Sequence, residues 1–185
     1  MGQSILIKRA RLSYPHLYAK HAFDEKQEPK YKARFVVEKG SEEDKQIQKA
    51  INEAAKEVFG AKAAAILESI KGNNMKYVYT DGALSDDEGL QDCMILSASN
   101  KNVKPLLLDG KKQKLPDTDT GVLYAGCYVA AKLEIYASKD YKGIFATVTG
   151  VMFVGDGPAF SGGRPAAEDD FAELSVVEDD LDGIL

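Results

Sequence analysis

The cleanest alternation of apolar and polar positions runs from Lys30 to Glu38. Tyr31, Ala33, Phe35 and Val37 fall on one side, and Lys30, Lys32 and Arg34 on the other. That period predicts a half-buried strand with a basic outer row. Val122 to Tyr136 alternates in the same way: Ala125, Cys127, Val129, Ala131, Leu133 and Ile135 point one way, Tyr124, Tyr128, Lys132 and Tyr136 the other. Ser4 to Tyr14 reads as a first strand ended by Pro15. The parity of Ile5 and Ile7 differs from that of Ala10, Leu12 and Tyr14, so a bulge is expected near Arg9. His16 to Pro29 then reads as a long polar connection. Two further strands are expected, at Cys93 to Ser99 and Ile144 to Val154. In the latter, Gly150 marks a bulge or tight curl, and Phe145, Thr147, Thr149, Val151 and Phe153 share a parity.

Between the second and third strands the period changes to helical. Ser41 is a candidate N-cap, and Glu42, Glu43 and Asp44 complement the helix dipole. Ile47, Ala50, Ile51, Ala54, Ala55, Val58 and Phe59 follow at helical spacing up to Gly60. Ala63, Ile66, Leu67 and Ile70 continue in a shorter helix that Gly72 ends. The polar faces mix both signs of charge, so the pair predicts a packing hairpin rather than a membrane-surface element. About five strands, glycine-marked curls and a helical insertion at about 41–71 predict a mainly β chain: an OB-fold-like five-stranded barrel with a helical hairpin.

Charge changes the picture at the end of the chain. Eight of the 29 acidic residues, among them Asp169, Asp170, Asp179, Asp180 and Asp182, lie in the last eighteen positions with no basic residue. The preceding body then holds 21 acids against 24 Lys+Arg, so a net charge of -5 hides a basic body and an acidic tail. We expect residues 1–160 to be one folded domain and 161–185 a flexible Gly/Pro-rich linker and tail. A basic surface of this kind holds a polyanion, and the tail competes for it or recruits basic partners. Neither a signal peptide nor a spanning stretch is legible, which places the chain in the cytoplasm. Cys93 and Cys127 lack metal or redox spacing and are expected to be buried free thiols.

Little in the chain suggests catalysis or a cofactor. There is no phosphate-binding glycine motif, no Gly-x-Ser-x-Gly and no histidine cluster beyond His16 and His21. Asp86, Asp87, Glu88 and Asp92 lack the alternating ligands and central glycine of a calcium loop. No metal site is therefore expected, and a nuclease assembled from scattered carboxylates is the remaining catalytic alternative. Binding of an unstacked polynucleotide needs rings for the bases and cations for the phosphates. Lys30, Lys32, Arg34, Tyr128 and Lys132, with Lys101 and Lys104 from the lysine-rich segment 101–114, are of the required types. Tyr14, Tyr77 and Tyr79 are candidate stacking rings, with packing of the ring as the alternative for each tyrosine.

Several segments resemble the phage-encoded single-stranded DNA-binding proteins. They are Arg11-Leu-Ser-Tyr-Pro, Glu28-Pro-Lys-Tyr, Ser97-Ala-Ser-Asn-Lys through Pro105, Tyr124-Ala-Gly-Cys-Tyr-Val, and Gly162-Gly-Arg-Pro-Ala-Ala-Glu-Asp-Asp-Phe171. The resemblance implies an OB-fold core with an acidic C-terminal tail, no catalysis, and single-stranded DNA as partner in replication, recombination or repair of phage DNA within the bacterial host cytoplasm. Arg11 is a further candidate for the DNA surface, although the bulge near Arg9 would turn Lys8, Arg9 and Arg11 toward different faces. The resemblance also implies that the tail, with Phe171 its only ring and Leu185 its apolar end, docks replication proteins. Two other classes stay open: a scaffolding protein whose tail binds a basic partner, and an RNA-binding protein, since stacking alone treats both sugars alike. The helical insertion follows the second strand, whereas an OB-fold usually carries its helix after the third.

Overall fold

The computed structural model describes residues 2–22, 24–84, 89–160 and 171. Seven strands and two α-helices follow one another: β1 (Gln3–His21), β2 (Lys30–Glu38), α1 (Glu42–Phe59), α2 (Ala63–Ile70), β3 (Tyr79–Asp81), β4 (Cys93–Asn100), β5 (Leu106–Leu108), β6 (Tyr128–Ser138) and β7 (Gly143–Gly155). Antiparallel pairing joins β4 to β2, β2 to β1, β1 to β6 and β6 to β7. A parallel pair, Ser99 opposite Thr147, closes the ring between β4 and β7. The result is a closed five-stranded barrel, with β3 added beside β4 and β5 beside β7. The helices lie between the second and third barrel strands, so the insertion point read from the sequence stands.

Barrel closure explains the two places where apolar parity breaks. Opposite β6, Ile7 pairs with Ala131 and Ala10 with Val129, so β1 carries one extra residue at Lys8–Arg9. Ile5 and Ile7 before it, and Ala10 and Leu12 after it, all point into the core. Between β6 and β7, Lys132 pairs with Gly150 but Leu133 pairs with Val148, which leaves Thr149 as the extra residue. Phe145, Thr147 and Thr149 share the outer side, but Val151, of the same parity in sequence, lies past the bulge, faces inward and is 2% exposed.

Other boundaries move. β1 does not stop at Pro15 but continues to His21, because Pro15 falls inside a second register slip, between Ser13 and His16, where β2 asks for no ladder donor. The expected connection therefore shortens to residues 22–29. β6 begins at Tyr128 rather than Val122. Tyr124, expected on an outer row, is buried, and its hydroxyl donates to Asp156 Oδ1 at 2.7 Å. The main core includes Phe35, Leu12, Leu96, Val129, Leu133, Ile135, Ile144 and Val148, and Val36, Leu90 and Ile95 form a second, smaller cluster. Cys127 belongs to it and is a free thiol pushed up to about 11 chiefly by burial, whereas Cys93 is a free thiol only half-buried. Among the described residues no helix is long and apolar enough to cross a membrane. Asp86, Asp87 and Glu88 lie outside the described residues.

α1 packs Ile47, Ala50, Ile51, Ala54 and Ala55 inward, lying against β1 and β6. Ser41 Oγ accepts the Asp44 N–H at 3.2 Å, as an N-cap does. Asp44 itself is buried and joins the helix to β3: its carboxylate accepts from the Tyr79 hydroxyl, from Gly40 N–H at 2.8 Å and from Gln48 Nε2 at 2.8 Å. Burial by itself would raise the Asp44 carboxyl. The bonds from Tyr79, Gly40 and Gln48 outweigh it and hold the group below the usual carboxylate range. A group so depressed contributes stability that is present above the unfolded carboxylate value, near about 4, and lost as pH falls through the folded value. Asp44→Ala should cost about 1–3 kcal/mol by leaving the Tyr79 hydroxyl without its acceptor. Denaturant unfolding at pH 7 and at pH 3.5 checks this: the deficit of the variant should shrink at the lower pH.

Candidate nucleic-acid interface

The outer wall made by β1, β2, β4 and β7 carries its polar residues in rows set by the register. Ser13 stands opposite Arg34, which stands opposite Ser97. In the next row His16 faces Lys32, Lys32 faces Ser99, and Ser99 faces Thr147. Beyond it His21 faces Lys30. Lys30, Lys32 and Arg34 thus project side by side, because residues two apart on a strand share a face. Their crowding has an electrostatic signature: burial first, then Lys30 and Arg34, lower the Lys32 ammonium from its ordinary value. A wall that holds cations against their own repulsion is suited to an anion.

Tyr14 lies in the register slip of β1 and has a φ of 45°, a left-handed conformation that a tyrosine adopts only when its surroundings impose it. The turn lifts its ring off the wall. It is 55% exposed, with the Arg34 guanidinium 5.0 Å from the ring centroid. Lys20 similarly lies 5.9 Å from the ring of Tyr31. At the rim, Lys101 Nζ is 2.7 Å from Glu28 Oε2, which ties the turn after β4 to the connection before β2. Tyr141, in the turn between β6 and β7, is 72% exposed and meets Phe145 edge-on at 6.5 Å. The turn that carries it stands at the β6–β7 end of the barrel.

Of the residues expected from the sequence, the fold gathers Tyr14, Lys30, Lys32, Arg34 and Lys101. The others serve elsewhere. Tyr79 is 2% exposed and spends its hydroxyl on Asp44, so its ring is core. Tyr77 is half-buried, raised by that burial, and bridges to Ile144. Both line the space between the helices and β4 instead of standing in the rows of the outer wall. Lys104 pairs with Asp117 and lies 5.5 Å from the Tyr18 ring. Lys132 stands between Leu6 and Gly150 on the β1–β6–β7 side, a different wall of the barrel.

Arg11 and Tyr128 form a clasp on residues 158–160. Arg9 lies 4.0 Å and Arg11 5.8 Å from the Tyr128 centroid, and Arg11 also lies 4.1 Å from that of Phe160. Arg11 donates to Gly126 O at 3.3 Å and to Pro158 O, while Phe160 N–H donates to Ala125 O at 3.0 Å. Gly126, with φ 110°, sits so close to this strap that a Cβ would collide with the Pro158 carbonyl. Phe160 thus lies beside Arg11, two residues along β1 from Ser13, the partner of Arg34. Asp169, Asp170, Asp179, Asp180, Asp182 and Leu185 lie outside the described residues; Phe171 is exposed.

Two elements of the wall were missed in the sequence. Tyr141 was read only as part of a turn, though a Lys-Asp-Tyr-Lys tip between two strands places a ring among cations. His16 and His21 were placed in a loop because Pro15 was taken as a strand end. Next to the wall, a groove of about 1130 Å³ runs between the helices and β3–β4, and shares Arg34 and Ser97 with it. The clasp supplies a prediction: in Arg11→Ala the Phe160 amide should exchange with solvent about tenfold faster, the scale of one lost bond from a charged donor. Native-state hydrogen exchange measures it, and an unchanged rate would show that Phe160 is held by its backbone bond alone.

Comparison with known proteins bears on the fold and the family. Protein p50 of Acyrthosiphon pisum secondary endosymbiont phage 1 is 33% identical over 179 residues, which is 95% of this chain and 96% of that protein. The structure of the single-stranded DNA-binding protein from bacteriophage Enc34 in complex with ssDNA superposes with a TM-score of 0.70 at 22% identity, over 85% of this chain and 89% of that one. That of gp2.5, a single-stranded DNA-binding protein encoded by bacteriophage T7, gives 0.53 at 16% identity, over 96% and 99%. At those identities the two structures speak to the fold. Residues 3–182 match the family model of the Enterobacter phage Enc34 ssDNA-binding protein, and the chain belongs to that family.

Proposed function

We propose that this protein binds single-stranded DNA without catalysis and with little regard to sequence, along the wall formed by β1, β2, β4 and β7. The observation that carries the reading is the row of Lys30, Lys32 and Arg34 with the lifted ring of Tyr14 beside it. The cations track successive phosphates and Tyr14 carries a base, with Tyr141 and Lys101 at the rim where the strand leaves. A ring with a guanidinium on one side and solvent on the other is suited to stacking, since Arg34 both holds it and neutralises a neighbouring phosphate. Family membership supports single-stranded DNA as the partner.

The finer parts of the proposal concern the cell and the tail. The protein acts in replication, recombination or repair of phage DNA in the host cytoplasm. Residues 1–160 are the binding unit, and the acidic residues of 161–185 compete with DNA for the basic wall and dock replication proteins. The strap supports the competition, because Arg11 holds Phe160 beside the row that begins at Arg34. Glu168, the first of the eight tail carboxylates, follows Phe160 by eight positions, and a tether that short gives a high effective concentration at the wall.

Titration of a labelled oligonucleotide over a salt series tests the reading. The logarithm of affinity should fall linearly with that of salt, with a slope of about -0.7 per phosphate neutralised. Arg34→Ala should weaken binding and flatten the slope by about that unit, whereas Tyr14→Ala should cost about 1–3 kcal/mol with the slope unchanged. Lys132→Ala, on another wall, should alter neither. Salt-insensitive or absent binding would overturn the proposal, and a matched RNA oligomer in the same assay reports the preference for sugar. Removal of residues 168–185 should tighten binding; equal or weaker affinity would show that the tail does not compete.

A further inference from the structure

His16 and His21 are five residues apart on β1, yet their rings stack face to face, with centroids 3.9 Å apart and planes 9° from parallel. A regular strand would put residues of odd separation on opposite faces. They meet because β1 slips register against β2 between Ser13 and His16 and again between His16 and His21. The slips place the imidazoles opposite Lys32 and Lys30, on the outer row of the wall. The fold has therefore put two stacked imidazoles into a line of lysine and arginine side chains.

Every element packed around the pair contributes to its field. β2 presents Lys30 and Lys32, with Arg34 next along the strand, and β1 adds Lys20. β4 contributes the uncharged Ser99 opposite Lys32. The connection before β2 brings Glu28, which is engaged by Lys101 and also acts on Lys20 and Lys30. Burial first, then His21 and Lys32, hold His16 below its ordinary value of 6.5. Without an anion, His16 is thus a latent charge: a proton added there meets a second imidazole under 4 Å away and a lysine across the ladder.

We propose that the stacked His16–His21 pair is a proton-coupled phosphate subsite: a phosphodiester of the bound single strand, lying along the Lys30–Lys32–Arg34 row, draws a proton onto His16. The inference rests on the function proposed above and adds a regulation to that site. His21 acts as a positioning residue whose stacked ring fixes the His16 imidazole toward the row. An anion within hydrogen-bonding reach favours the charged form, so the value for His16 is higher in the complex than in the free protein. Between the two values binding takes up a proton, and affinity rises as pH falls. Below the free-protein value the imidazole is already charged and the gain levels off.

The test uses the full chain and oligo(dT), whose base does not titrate in this range, at constant ionic strength from pH 8 to pH 5.5. Affinity should strengthen by up to about tenfold per pH unit through the window, as uptake of one proton requires. Calorimetry in two buffers of different ionisation heat should give binding heats that differ in the sense of proton uptake. His16→Gln, which keeps the same acidic tail, should lose the slope and the buffer dependence together, and His21→Ala should reduce both. Salt-dependent binding with no proton uptake, or a His16→Gln profile as steep as the wild type, would overturn the subsite while leaving the binding wall standing. Absence of salt-dependent oligo(dT) binding at every pH would overturn the wall itself. The buffer comparison on the unmodified protein decides the matter even where a variant does not fold.

Discussion

β1 has to satisfy two neighbours at once. Over nineteen residues it forms ladders with β2 on one side and β6 on the other while keeping an apolar side toward a closed core. A strand of that length cannot curl around a small barrel with unbroken alternation, because each residue turned inward must also meet the register of both partners. The extra residue at Lys8–Arg9 and the slips around Tyr14–Pro15 and before His21 are how the chain resolves the conflict. Each slip redirects side chains outward that a regular strand would have hidden. The first brings Arg9 and Arg11 to the Tyr128 ring, the second lifts Tyr14 over Arg34, and the third stacks His21 on His16. The same geometry that closes the barrel thereby equips its surface.

The helical insertion is fastened to the barrel by a different kind of contact. Apolar residues of α1 cover β1 and β6, which is non-directional burial. Asp44 adds direction, since one buried carboxylate collects donors from the helix start, from α1 itself and from β3. The Tyr79 hydroxyl is therefore committed to structure, and Tyr79 and Tyr77 line the groove between the helices and β3–β4 that opens next to the wall. The strap of residues 156–160 is held in a comparable way, by Tyr124, Arg11 and the close approach of Gly126. Both devices use aromatic residues that composition alone would have assigned to a ligand.

Charge on this protein is organised by position more than by quantity. A body with a surplus of only three positive charges would be an ordinary surface if they were dispersed. The β2 period concentrates Lys30, Lys32 and Arg34 on one face, and the slip in β1 adds two histidines opposite them. The acidic residues are gathered at the far end of the chain, and the strap holds Phe160, eight positions before Glu168, beside Arg11 of β1.

Patterns confined to one element were legible in the sequence. The bounds of β2 and α1, the cap at Ser41, the bulge near Arg9, the barrel with its insertion and the basic row could be read because strand and helix periods, caps and local parity are properties of neighbouring residues. The fates of Tyr77, Tyr79, Tyr124 and Tyr128, of Arg11, and of Lys104 and Lys132 could not. Each depends on which partner arrives from a distant segment: Asp44 for Tyr79, Asp156 for Tyr124, Phe160 for Arg11, Asp117 for Lys104. Pro15 misled for the same reason, since a proline ends a ladder only where the neighbouring strand needs its N–H. The sequence by itself determined which segments alternate and where charge accumulates. Only the closed barrel decided which rings face water and which cations share a wall, because closure sets the register between strands that are far apart in the chain.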